Sequence, residues 1–185
     1  TTAAVDLLRF SGTGTPSYVG ASTCGTGAAL SPMATPLAAD GTALPVNTTL
    51  TLSSGSQFTR GEAIFIRVID PDQDLDPYGP DSVTVTVDAS GGDSEIVVLS
   101  ETGASTGIFT GYVPTGSTSE PCVLDGPQGA EVSVVYQDPA DSDDIAAASA
   151  FLDPGIRVFS SESGAALAGA AVTLINEATG QPAEV

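Results

Sequence analysis

The chain has 185 residues, of which 23 are acidic and four are arginine, and it contains no lysine, histidine or tryptophan. Its net charge of −19 argues against a nucleic-acid partner, because binding to phosphates relies on cations, and an anionic membrane surface would repel it. The apolar fraction of 41% allows a sizeable core, while no apolar run approaches the roughly 20 residues that a membrane-spanning helix needs.

The first predicted element is a strand at residues 3–10, where apolar and polar residues partly alternate. A segment rich in Gly, Ser, Thr, Ala and Pro follows to about residue 45, and we expect it to be an irregular loop. It contains Cys24, and the second cysteine of the chain is Cys122. A zinc site is disfavoured, since there is no histidine and no C-x-x-C spacing. A disulfide that pins the irregular segment is the favoured interpretation, and two buried free thiols are the alternative.

From residue 46 onwards, β-prone runs recur at regular spacing with turn residues between them. In residues 82–88, Val83, Val85 and Val87 alternate with polar residues, as in a strand with one face on a core. No long segment keeps the 3.6-residue apolar period of a helix. The predicted strands are 48–52, 63–69, 82–88, 95–99, 108–113, 131–136 and 145–151. The sequence therefore predicts an all-β fold, an antiparallel β-sandwich.

A domain boundary is expected near Asp153, which makes residues 1–153 the main domain and residues 1–45 its N-terminal strand and long loop. Beyond the boundary lie two more strand-like pieces, residues 156–159 and 170–175. Two or three strands cannot bury a core alone. Region 154–185 is therefore expected to be a partial second β module or to provide strands that link subunits.

Two short proline-containing loops, residues 70–81 and 138–144, hold nine of the 23 acidic residues. Two carboxylates about 6 Å apart repel by roughly 3 kcal/mol at an effective dielectric constant of ~20, so this crowding calls for a compensating charge. Ca²⁺ is favoured over Mg²⁺, because it accepts six to eight oxygen ligands in irregular geometry. The candidate ligands are Asp70, Asp72, Asp74, Asp76, Asp81, Asp138, Asp141, Asp143 and Asp144.

Each acidic loop follows an apolar strand, so both are expected at the same end of the sandwich, where they can share a metal ion. The first loop is not an EF-hand, because Leu75 replaces the required glycine, Asp81 replaces the final glutamate, and strands replace the flanking helices. One alternative is a pair of solvated turns in which Asp side chains cap the local backbone. Adaptation to high salt is another, although the clustering of the acids argues against it as the sole cause.

Residues 99–111 read Leu-Ser-Glu-Thr-Gly-Ala-Ser-Thr-Gly-Ile-Phe-Thr-Gly, and Glu101, Thr102 and Thr106 can satisfy turn amides there. With Arg60-Gly-Glu, the Asp-Pro-Asp of the first loop and Tyr136-Gln-Asp-Pro, this stretch resembles immunoglobulin-like repeats of large bacterial and archaeal surface proteins. The piece that begins at Gly155 resembles the start of a carboxypeptidase-regulatory-like β-sandwich. The resemblance covers roughly residues 55–175 and implies an immunoglobulin-like fold and a secreted structural or adhesive role.

The expected function is that of a structural subunit or module in an extracellular or cell-surface assembly of a prokaryote, such as a fibre or stalk, stiffened by calcium and a disulfide. Its expected partners are copies of itself or adjacent modules of a longer surface protein. An isolated first strand and an incomplete C-terminal β piece suggest polymerisation by strand exchange. The alternatives are an adhesin or ligand-binding module that contacts its partner through the calcium loops, and an accessory domain of a secreted enzyme. Catalysis by the chain itself is not expected, since it lacks His and Lys.

Overall fold

The computed structural model describes residues 2–153 together with the single positions 173, 175, 179 and 181. The chain divides into two units, Thr1–Pro154 and Gly155–Val185, and the architecture below is that of the first unit. The strands predicted at residues 156–159 and 170–175, and the C-terminal β piece to which they belong, fall outside the described residues apart from those single positions.

The described part of the chain is almost entirely β-structure, with one short 3-10 turn, Pro71–Gln73, and no α-helix. The prediction of an all-β sandwich-like fold is confirmed, and each strand predicted between residues 46 and 152 is present within two residues of its expected bounds. The strands are β1 Ala4–Val19, β2 Thr23–Cys24, β3 Ser31–Pro32, β4 Thr48–Ser54, β5 Gln57–Phe58, β6 Ile64–Ile69, β7 Ser82–Ala89, β8 Ser94–Glu101, β9 Ile108–Val113, β10 Thr115–Gly116, β11 Leu124–Asp125, β12 Ala130–Gln137 and β13 Ile145–Leu152.

Most of these strands belong to one curled sheet with the order β4-β1-β6-β9-β8-β7-β12-β13-β5, to which β2 and β3 are attached at β8. The pairings are antiparallel except for two short parallel ones, β13 with β5 and β10 with β11. The sheet is therefore mixed rather than purely antiparallel. Its curl brings β1 and β13, which are not neighbours in the sheet order, close enough for the backbone N–H of Ala3 to reach the carboxylate of Asp144.

The core is built from the alternating faces of these strands. In β7, every second residue from Val83 to Ala89 is buried and the residues between them are exposed, as predicted from the strict alternation. β12 repeats the pattern with Val132, Val134 and Tyr136. β6 lies inside the sheet, between β1 and β9, and four of its six residues are buried while the other two are half-buried, which explains why its sequence is an almost continuous apolar run.

The prediction that the first strand ends near residue 10 is wrong, because β1 continues to Val19. Its pairing with β4 shifts register, so that both Phe10 and Thr15 lie opposite Leu52. Gly14 permits this irregularity, since a Cβ at that position would collide with the backbone of Leu52. The first strand is also not isolated, because it lies between β4 and β6.

Residues 20–45 are mostly irregular, as predicted, but they do not depend on the disulfide alone. Met33, Ala38 and Leu44 are buried in the core, so packing also fixes this segment. The predicted disulfide between Cys24 and Cys122 is present, with a Cα–Cα separation of 5.5 Å. Among the described residues there is no helix with the length and apolarity needed to cross a membrane.

Candidate metal centre

The two acidic loops meet at one end of the sandwich, which we call the acidic end. The first loop follows β6 and the second follows β12, strands that are separated in the sheet by β9, β8 and β7. The curl of the sheet nevertheless brings Asp70 and Asp72 from the first loop close to Asp138 from the second, with one carboxylate oxygen of each within 4.8 Å of the others. These three residues form the Asp70 cluster.

Asp70 is the centre of this cluster, and its side chain is fully buried, with an exposed fraction of 0%. Its Oδ2 accepts a hydrogen bond of 2.6 Å from the phenol of Tyr136. Its Oδ1 is buried as well, but it has no hydrogen-bond partner among the residues that the structure describes. A buried carboxylate oxygen without a donor is costly, so this atom marks a position where a positive charge would be stabilising.

Asp138 is 2% exposed and is held in place by two donors. Its Oδ1 accepts hydrogen bonds of 2.7 Å from the side-chain amide of Gln73 and of 2.7 Å from the backbone N–H of Ala140. Gln73 is the last residue of the 3-10 turn that follows Asp70. The Gln73–Asp138 contact therefore ties the first acidic loop directly to the second.

The position of Asp70 also depends on Gly107 in the neighbouring β8–β9 turn. The backbone N–H of Asp70 donates to the carbonyl of Gly107 at 2.8 Å. Gly107 has a φ angle of +58°, and a Cβ there would lie 2.6 Å from the Cα of Pro71. Only glycine is accommodated without strain in this conformation and this close contact.

The carboxyl groups of the Asp70 cluster influence one another strongly. Burial, and after it the neighbouring carboxyl group of Asp72, raises the pKa of Asp70 to about 6. The same contact lowers the pKa of Asp72. Burial, followed by the hydrogen bond to Asp70, raises the pKa of Tyr136 above its ordinary value. Opposite shifts of this kind are expected where two neighbouring carboxyl groups compete to carry one negative charge in a buried site.

A second group, the Glu101 cluster, consists of Asp74, Asp81 and Glu101, again with one oxygen of each within 4.8 Å of the others. Asp81 Oδ2 accepts hydrogen bonds from the backbone N–H groups of Leu75, at 2.7 Å, and Asp76, at 2.8 Å. It thus fixes the turn that contains these residues.

Glu101 serves the neighbouring turn in the same way. Its Oε1 accepts from the backbone N–H groups of Thr106 and Gly107, at 2.5 and 2.8 Å, and its Oε2 accepts from the N–H of Asp81 at 3.1 Å. Burial raises the pKa of Glu101, but these backbone donors outweigh it, and the net shift is downward. The prediction that Glu101 satisfies turn amides is confirmed.

The remaining predicted ligands are not part of either cluster. Asp76 Oδ1 accepts from the N–H of Tyr78 at 2.9 Å, Asp141 Oδ1 accepts from the N–H of Asp143 at 3.1 Å, and Asp144 Oδ2 accepts from the N–H of Ala3 at 2.9 Å. Asp141 and Asp143 are exposed. For Asp76 and Asp141, capping of the local backbone describes the observed contacts, as the alternative interpretation of acidic turns expects, whereas Asp144 contacts a distant part of the chain.

Glu101, Gln73 and Tyr136 were not among the predicted site residues. A signal for Glu101 was present in the sequence, because β7 and β8 form a hairpin in which Ser82 pairs with Ser100, and extending that register by one residue sets Asp81 opposite Glu101. Gln73 and Tyr136 carry no such signal, since their contacts depend on how the two halves of the sheet curl towards each other.

The chain gives no match to any model of a known protein family, and no curated protein matches it. The resemblance to immunoglobulin-like repeats and to a carboxypeptidase-regulatory-like module therefore remains a prediction. In the part of the chain that the structure describes, the geometry provides two acidic clusters that can hold a metal ion. It also provides a disulfide, a bond typical of proteins in oxidising environments.

Proposed function

We propose that the chain is a structural module of a prokaryotic extracellular or cell-surface assembly, such as a fibre or stalk, and that Ca²⁺ and the Cys24–Cys122 disulfide make it rigid. The observation that carries this proposal is the buried Oδ1 of Asp70, which lacks a donor among the described residues and lies where the two acidic loops converge. The proposed partners are copies of the chain or adjacent modules of a longer surface protein.

Calcium suits the Asp70 cluster better than other common ions. All three of its acidic side chains offer oxygen, the donor type that hard cations prefer. The chain contains no histidine, and both cysteines are in the disulfide, which removes the nitrogen and sulfur ligands that zinc favours. Ca²⁺ also tolerates the irregular geometry of two loops, whereas Mg²⁺ requires a near-ideal octahedron.

An ion in this cluster would act as a cross-link between the loop after β6 and the loop after β12. The disulfide joins the short strand β2 to the segment before β11. The two links restrain different parts of the sandwich, so together they stabilise it more broadly than either does alone.

The path of the chain through the first unit also supports a role in an extended assembly. Residue Ala3 contacts Asp144 at the acidic end. β13 then runs away from that end over eight residues, a length of about 23 Å for seven steps of about 3.3 Å. It leads to Asp153, which accepts a hydrogen bond from the N–H of Arg60. The unit is thus entered at one end and left at the other, the path required of a spacer in a linear array. Because β1 lies between β4 and β6, the proposal does not include exchange of the first strand.

The proposal is tested by thermal melting and electron microscopy of the same samples, in excess calcium and after chelation with EGTA. A structural role for the ion predicts a higher melting temperature in calcium and a difference in the length or straightness of the particles. Asp70→Asn serves as the matched variant, because it keeps the size of the side chain and should respond to neither condition. Identical melting and morphology with and without calcium in the wild type would refute the proposal.

A second candidate function, adhesion, is favoured by one specific observation. Tyr78 and Leu75 are 93% and 71% exposed in a loop whose backbone is fixed by Asp76 and Asp81. A rigid loop that presents a tyrosine resembles the preorganised anchors of protein interfaces, and its acidic surroundings select a positively charged partner. A photo-crosslinker placed at position 78 distinguishes adhesion from a spacer role. An adhesin would be crosslinked repeatedly to one foreign peptide rich in Lys or Arg, whereas a spacer would not.

A further inference from the structure

The two acidic clusters have similar composition but differ in what their oxygens already bind. We propose that the Asp70 cluster alone is a calcium site, that it takes one ion per chain, and that the Glu101 cluster takes none because its carboxylates act as acceptors for the loop backbone. This inference rests on the proposed function for the identity of the ion and extends it by fixing the number of ions and by excluding the Glu101 cluster.

The Asp70 cluster has the properties of an incomplete coordination shell. Asp70 is fully buried, and Tyr136 occupies its Oδ2, so Oδ1 is the oxygen that faces the ion. Gln73 and Ala140 both donate to Oδ1 of Asp138, which fixes that carboxylate and orients its second oxygen. Tyr136 and Gln73 are therefore positioning residues, and the ligands are Asp70, Asp72 and Asp138.

Asp72 differs from the other two ligands in being exposed. The ion would therefore be held on one side by two buried carboxylates and approached by water on the side of Asp72. Three carboxylates, some of them bidentate, together with water can complete the six to eight oxygens that Ca²⁺ requires. Access from the solvent on that side also means that the ion should exchange and be removable by a chelator.

The Glu101 cluster lacks this incompleteness. Both oxygens of Glu101 and the Oδ2 of Asp81 accept backbone N–H groups, as described above. The Oδ2 of Asp74 accepts the hydroxyl of Ser105 at 2.7 Å. A cation bound here would have to displace amide donors that hold the turns in place, and each lost backbone hydrogen bond would leave an N–H group to be satisfied again.

The chain offers a matched pair of tyrosines for testing this assignment. Tyr136 donates to a ligand of the Asp70 cluster, whereas Tyr78 lies in the loop of the Glu101 cluster, and there is no tryptophan to obscure their signals. Tb³⁺, which occupies calcium sites, luminesces when a nearby excited tyrosine transfers energy to it. In the full chain, Tyr136→Phe should abolish at least about four-fifths of the sensitised emission, and Tyr78→Phe should leave it nearly unchanged.

Calcium titration by isothermal calorimetry provides the second measurement. We expect one ion per wild-type chain, at least a tenfold loss of affinity in Asp70→Asn and in Asp138→Asn, and less than a threefold change in the control variant Asp74→Asn. Circular dichroism of each variant confirms that it is folded. If Asp70→Asn does not fold, the terbium comparison still decides, because Tyr136→Phe keeps all three ligand side chains, and calorimetry of this variant shows whether it still binds one ion.

Several results would overturn the assignment. These are two ions per wild-type chain, loss of binding in Asp74→Asn but not in Asp70→Asn, or terbium emission that depends on Tyr78. Absence of any calcium binding would remove both this inference and the calcium part of the proposed function. One ion at the Asp70 cluster that changes neither melting nor particle shape would uphold the assignment while contradicting the structural role.

Discussion

Removal of the disulfide gives a prediction whose magnitude follows from the structure. The bond joins residues 98 positions apart, and in the chain-entropy treatment a closed loop of that length lowers the entropy of the unfolded chain by an amount worth about 4.7 kcal/mol. Cys24 and Cys122 are buried, and alanine at both positions removes the bond without introducing a polar group. The double variant Cys24→Ala/Cys122→Ala should therefore unfold with a free energy about 4–5 kcal/mol below that of the wild type.

The measurement is urea unfolding followed by circular dichroism, at one fixed calcium concentration. The unfolded wild type keeps its loop closed and exposes less surface, so the dependence of unfolding free energy on urea should be steeper in the double variant. In thermal melts, the same loss corresponds to a decrease of about 10–20 °C for a unit of this size.

Wild-type protein treated with a reductant is the internal control, and it should match the double variant, which itself should not respond to the reductant. A loss below about 1 kcal/mol with an unchanged urea dependence would refute the reasoning. Such a result would mean that contacts of residues 20–45 persist in the unfolded chain and already restrict it. It could also mean that this segment separates from the sandwich before the rest unfolds.

Three further predictions concern the interior of the sandwich. Gly111→Ala should destabilise the fold by about 1–3 kcal/mol in urea unfolding, because a Cβ there would lie 2.6 Å from a side-chain carbon of Leu99. Gly12→Ala is the control and should be nearly neutral, since a Cβ at that position meets nothing within 4 Å. Glu62→Ala should lower the free energy of unfolding by about 3 kcal/mol, since Glu62 is 2% exposed and forms a two-point ion pair with the partly exposed Arg9. An unchanged free energy of unfolding in urea would contradict this prediction. Burial raises the pKa of Glu95, so the folded state favours the protonated carboxyl group. Its contribution to the free energy of unfolding is fully present below the ordinary pKa of about 4.3. This contribution is lost as the pH rises through the pKa of the folded state. Glu95→Gln should therefore gain stability relative to the wild type as pH increases through this range, and parallel pH profiles would exclude the effect.

The strands of the sandwich were predictable because their side chains alternate or are continuously apolar. β7 shows one face buried and one exposed, and β6 is apolar because it lies inside the sheet. The extension of β1 beyond Phe10 was not predictable in this way. Its second half consists of Gly, Thr, Ser and Pro as far as Ser17, which resemble a loop, and this part is held as a strand by backbone pairing with β4 and not by a buried face.

The acidic loops were predictable as a region but not in detail. Asp70, Asp72 and Asp138 are among the ligands that the sequence predicts, and the structure brings these three together. The sequence does not distinguish them from Asp76 or Asp141, because all of them lie in short acidic loops that contain proline. The distinction depends on which carboxylates the curled sheet buries and which backbone amides lie nearby, and both are properties of the tertiary fold.

The position of the disulfide has a mechanical consequence for a chain that is pulled from its two ends. Tension applied at Ala4 and Leu152 cannot extend the segment between the two cysteines, which are 98 positions apart and could otherwise separate to about 340 Å at 3.3–3.6 Å per residue. Only the outer portions, before Cys24 and after Cys122, remain free to unravel. The covalent link would therefore act as a stop that limits how far each unit stretches under load, even after its hydrogen bonds have failed.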